Sequence, residues 1–72
     1  MTMIQWTIYD HPRDYPEHFV VRKWEITDGH ISPCPEKYLA ATLPEARAHV
    51  PAGYYNLGRM DDDDPVIIET WI

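Results

Sequence analysis

Asp61, Asp62, Asp63 and Asp64 stand in one unbroken run, four oxygen-bearing side chains of the kind that hold Ca²⁺ or Mg²⁺. Their spacing argues against a metal. Neighbours in an extended segment point to opposite sides, whereas a calcium loop spaces its ligands at alternate positions around a glycine. The run reads instead as a solvated turn whose like charges keep the following apolar segment from aggregating. Its functional form is an acidic docking surface for a basic partner.

Asp10 and His11, with Asp14 close behind, set carboxylates beside an imidazole, the pairing that general acid-base chemistry needs. Pro12 and Pro16 make this stretch a loop, and no serine-nucleophile motif, glycine-rich phosphate loop or P-loop lysine accompanies it. The pair reads as solvated loop residues. His11, His18, His30, His49 and Cys34 are zinc-ligand types, yet there is no C-x-x-C, and Pro33 and Pro35 flank the one thiol. No metal and no cofactor is expected. His49 is placed by the last turn of a helix, where the dipole favours a cation and Glu45 lies four residues earlier.

These residues must be carried by a chain of 72, which has room for one domain, residues 1–72. With 44% hydrophobic residues, including three Trp, five Tyr and one Phe, it has enough apolar material for one core. Twelve acidic residues against six basic ones give a net charge of −6. That balance, with the cations scattered, excludes ordinary nucleic-acid binding. A single cysteine closes no intramolecular disulfide, so a reducing cytoplasm is the expected location. No apolar run is long enough to span a bilayer and no signal segment is evident.

Residues 4–9 alternate Ile4, Trp6 and Ile8 with Gln5, Thr7 and Tyr9, which predicts a half-buried strand. Residues 18–26, rich in β-branched and aromatic types, predict a second, and Asp28-Gly29 a tight turn after it. Ser32, Pro33, Cys34 and Pro35 predict an irregular stretch, with a short third strand at residues 37–41. Thr42, Pro44 and Glu45 form a helix-start signal for a helix running to about Val50, stopped by Pro51 and Gly53. Residues 54–60 are apolar but broken by Gly58 and receive no assignment. Residues 66–72 predict a final strand built into the core, and one Trp per strand is expected inside.

The expected fold is therefore α+β: a small, largely antiparallel sheet in β-β-β-α-β order with one short helix on one face. One helix leaves part of the sheet uncovered, and an uncovered apolar face is a partner site.

The segments Trp6-Thr7-Ile8-Tyr9-Asp10, Phe19-Val20-Val21-Arg22-Lys23-Trp24, Thr42-Leu43-Pro44-Glu45-Ala46-Arg47 and Pro65-Val66-Ile67-Ile68-Glu69-Thr70-Trp71-Ile72 together resemble a family of small uncharacterised bacterial proteins. That resemblance covers nearly the whole chain and implies no activity and no site residue.

The functional expectation is a non-enzymatic cytoplasmic accessory protein that binds another protein, or itself, through a sheet face or edge. Tyr15, Tyr54 and Tyr55, of a type favoured at interfaces, and Asp61, Asp62, Asp63 and Asp64 are the candidate contact residues. Two alternatives stand beside it. One is a small hydrolase or metal-dependent enzyme built on Asp10, His11 and Asp14 or on the aspartate run. The other is an acidic mimic of nucleic acid that captures a basic protein.

Overall fold

The computed structural model of the chain describes residues 1–59 and 64–72. It contains strands β1 (Thr2–Asp10), β2 (Phe19–Thr27) and β3 (His30–Ala40), helix α1 (Leu43–Ala48) and strand β4 (Ile67–Trp71). These make a four-stranded sheet in the order β3-β2-β1-β4, with every neighbouring pair antiparallel. The α+β architecture and the element order are those the sequence predicts. No helix among the described residues is long and apolar enough to cross a membrane.

The register assigns the strand residues to two faces, because directly opposed residues in an antiparallel pair point to the same side. Trp6 and Ile8 of β1 oppose Lys23 and Val21 of β2, and Trp71 and Glu69 of β4. This is the face that α1 covers. Trp6, Ile8, Val21, Ala40 and Ala46 form the buried core there, ringed by Leu43, Val50, Tyr54 and Trp71. Because the helix is short, aromatic rings extend the cover. Trp6 meets Tyr38 and Tyr54, each with ring centroids 6.3 Å apart, and His49 stacks on Tyr38 at 4.6 Å.

The opposite, open face carries Met3, Gln5, Thr7 and Tyr9 on β1, against Ile26, Trp24, Arg22 and Val20 on β2. Val20 is fully buried although no helix lies on this side. The loop of residues 11–18 provides the cover: Lys37 donates to the Tyr15 hydroxyl at 2.6 Å, and Asp14 approaches Arg22 at 3.8 Å. The three Trp, on β1, β2 and β4, are thus not all in the core. Trp24 belongs to the open face and is half-buried.

Three expectations need correction. Ser32, Pro33, Cys34 and Pro35 do not form an irregular stretch; they lie within β3, which runs from His30 rather than from Lys37. Prolines survive there because β3 is an edge strand with a bulge: Arg22 opposes Lys37 and Trp24 opposes Pro33, so Cys34, Pro35 and Glu36 all stand against Lys23. The helix ends at Ala48, before Val50. His49 and Val50 donate to the carbonyls three residues back, Ala46 and Arg47, which tightens the final turn ahead of Pro51.

The Thr42 hydroxyl caps α1 as the sequence predicts, accepting from the Glu45 N–H. The Glu45 carboxylate accepts from the Ala41 N–H, so it closes the cap rather than reaching His49. The final strand, β4, is an outer strand of the sheet order. Its free edge is nevertheless occupied. Tyr55 exchanges backbone hydrogen bonds with Ile72, Leu57 donates to Thr70, and Thr70 donates to Gly58. The segment left without assignment is therefore the cover for this edge, joined to it by a bridge between Asn56 and Trp71.

Candidate functional site

Two arrangements stand out. One is a polar clasp under α1, and the other is the open sheet face.

Alternation places Glu69 on the inward side of β4, opposite Ile8, where it is only 3% exposed. A buried carboxylate needs partners, and three arrive from separate elements. Arg47 of α1 donates through Nε to both carboxylate oxygens, at 3.3 and 3.1 Å, and through Nη2 to Oε1 at 2.8 Å. The Trp71 indole donates to Oε2 at 2.7 Å, and the Asn56 side chain supplies a further hydrogen bond. Burial pushes the Glu69 carboxyl up, but the bonds from Arg47, Trp71 and Asn56 outweigh it and hold the group below its ordinary range. The same contact raises Arg47. With every partner in place, the clasp fastens α1 and the edge-covering segment to β4, and its chemistry is structural.

The open face is organised in cross-strand ranks. Met3, Ile26 and Ile31 form one, and Gln5, Trp24 and Pro33 the next. Met3 and Ile31 are 46% and 56% exposed. The following rank is Thr7, Arg22 and Lys37. These two adjacent ranks, apolar except for Gln5 and uncovered by the loop that shields Val20, make a continuous patch at the hairpin end of the sheet.

The residues singled out from sequence are scattered over other places. Tyr15 is half-buried, and the Lys37 ammonium lies 4.7 Å from its ring centre. Tyr54 is half-buried and packs edge-on against Trp6 at the rim of the core. Tyr55 is 77% exposed beside β4. Asp64 is exposed and works as a turn residue: its carboxylate accepts from Val66 N–H at 3.1 Å and its carbonyl from Ile67 N–H. Asp61, Asp62 and Asp63 lie outside the described residues.

Asp10 and His11 do meet, with Asp10 Oδ1 2.5 Å from His11 Nδ1. His11 holds a positive φ of 48° and sets its ring edge-on to Phe19, 4.8 Å between centroids. Asp14 is drawn away to Arg22. Among the described residues no group of three or more His, Cys, Asp or Glu side chains gathers as metal ligands would, and no cavity is present.

Neither a protein-family model, nor a curated protein, nor a solved structure matches this chain.

Proposed function

We propose that the protein is a non-enzymatic binding module that takes another protein, or a second copy of itself, onto the open face of its sheet. The observation that carries this reading is the pair of neighbouring ranks, Met3-Ile26-Ile31 and Trp24-Pro33, in which Met3, Ile31 and Pro33 are exposed and Trp24 and Ile26 half-buried, beyond the loop that shields Val20. The sheet edges offer less. Residues 55–58 already bond to the outer edge of β4, and Pro33 and Pro35 interrupt the ladder that β3 would present. Tyr55, exposed next to β4, extends the contact surface on the other side.

Sedimentation velocity across a wide concentration range, together with capture by a tagged full-length chain, tests the reading. Ile31→Glu and Met3→Glu should abolish both self-association and capture while leaving the thermal melt unchanged, since both side chains are exposed. Retention of every interaction by these variants would sink it.

Acid-base chemistry at Asp10 and His11 is a second reading, supported by their short contact, which leaves the far ring nitrogen as the reactive one. It ranks below the first because neither a cleft nor a gathering of further His, Cys, Asp or Glu side chains accompanies the pair among the described residues.

A further inference from the structure

We propose that the segment received by the open face is acidic as well as apolar: an extended stretch of another protein bearing carboxylates beside aliphatic or aromatic side chains. This rests on the face-binding reading above and adds the chemistry of the partner.

The first support is how the sheet sorts its charges. Asp10 opposes Phe19, Glu25 opposes Ile4 and Glu69 opposes Ile8, all on the helix face. Glu36 lies 3.7 Å from Lys23, which opposes Trp6 on that same face. The strand carboxylates thus all project towards the helix side. On the open face the charged strand residues are Arg22 and Lys37, directly opposite one another. In a chain of net charge −6 a cationic, carboxylate-free sheet face runs against the composition.

The second support is what the chain itself lays there. Asp14 faces Arg22 at 3.8 Å, and the Tyr15 hydroxyl and ring take the Lys37 ammonium, in a loop flanked by Pro12 and Pro16. This loop, folded through two turns in which Tyr15 N–H donates to Pro12 and His18 N–H to Tyr15, seats a carboxylate and an aromatic ring on the cations. It stops short of the apolar ranks. A partner of like composition would continue beside it, with its apolar side chains on Met3, Trp24 and Ile31 and its carboxylates on Arg22 and Lys37. The Arg22 contact with Asp14 is long, and the Asp14 side chain is 72% exposed, so it yields readily to a better acceptor. A second copy stacked face to face would instead bring two cationic ranks together, which favours a different protein as the occupant.

The test titrates the isotope-labelled full chain with three synthetic peptides, followed by amide and indole NMR signals. One alternates Glu with Leu and Tyr, one replaces Glu with Lys, and one replaces the apolar residues with Ser. The Glu/Leu/Tyr peptide should bind saturably and shift the Trp24 indole with the Ile26 and Ile31 amides. Arg22→Gln with Lys37→Gln should weaken it about tenfold, and added salt should weaken it further. Equal or tighter binding of the Lys peptide at the same residues would overturn the acidic preference and leave the face reading standing. Shifts elsewhere, or no saturable shift with any peptide, would overturn the proposal outright. The sedimentation and capture experiment with Ile31→Glu then decides the face reading separately.

Discussion

Arg47 of the short helix and Glu69 of the last strand are joined by donors from both Nε and Nη2, across a separation of 22 residues. Glu69 is nearly enclosed, with 4% of its side chain exposed, whereas Arg47 is 46% exposed. The pair is therefore a buried anion clasped by a cation that reaches in from the surface.

Removing the cation should cost more than removing both charges. Arg47→Ala leaves a dehydrated carboxylate held only by the Trp71 indole and the Asn56 side chain. Breaking a fully buried pair costs several kcal/mol, but solvent at the exposed guanidinium reduces this to about 1–2 kcal/mol. For so small a domain that is a fall in Tm of roughly 5–15 °C. Arg47→Met with Glu69→Leu should regain most of the loss, because apolar replacement leaves no stranded charge. Thermal melts followed by circular dichroism measure all three, and an Arg47→Ala melt equal to that of the parent would show that the clasp is idle.

The same clasp fixes a sign for the acid response. Glu69 titrates lower in the folded chain than its ordinary value of 4.5, because its hydrogen bonds overcome the burial that opposes them. A depressed carboxyl contributes stability that is fully present above the ordinary value and is lost as pH falls through the folded one. Parent and Glu69→Gln stabilities should therefore differ by a constant amount from neutral pH down to about 4.5 and converge below it. Denaturant midpoints across that window give the difference directly. A gap that widens on acidification would refute the assignment.

Local rules made most of the framework legible. Alternation over residues 4–9 revealed β1, Asp28-Gly29 marked the β2–β3 turn, and Thr42 with Glu45 marked the start of α1. The missing half of β3 followed from reading Pro33 and Pro35 as breakers, when an edge position and a bulge accommodate both. Glu69 carried one readable signal, a lone carboxylate sharing the alternate positions of Ile67 and Trp71. Its partner was not readable, since nothing local to Arg47 says which strand the helix will cross. The open face was hidden for a similar reason. Periodicity sorts Trp24 and Ile26 to one side of β2, but which side receives the helix depends on the path between strands.

The β2–β3 turn makes a second stability prediction. Asp28 and Gly29 have φ of 51° and 81°, the two positive values of a type I′ hairpin turn, and Thr27 faces His30 across it. Nothing lies within 4 Å of a side-chain carbon added at Gly29, so a substitution there pays only for its backbone conformation. Gly29→Ala should lower stability by about 1 kcal/mol and Gly29→Val by more, while Asp28→Asn should be neutral within about 0.5 kcal/mol. Chemical denaturation measures each. A neutral Gly29→Val would mean that the hairpin does not hold this turn.

The last strand offers the severest test. Trp71 opposes Trp6, donates to Glu69 and bridges to Asn56, and Ile72 exchanges backbone bonds with Tyr55. Removing these two residues therefore takes away core surface, a donor to the buried carboxylate and the anchor of the edge-covering segment together. A domain of 72 residues has little stability to spare. The truncated chain should lose its cooperative melt and the dispersion of its amide signals, whereas Tyr55→Ala, which keeps the backbone bonds, should melt close to the parent. A truncated chain that still melts cooperatively near the parent temperature would show that β4 is an appendage to a three-stranded core.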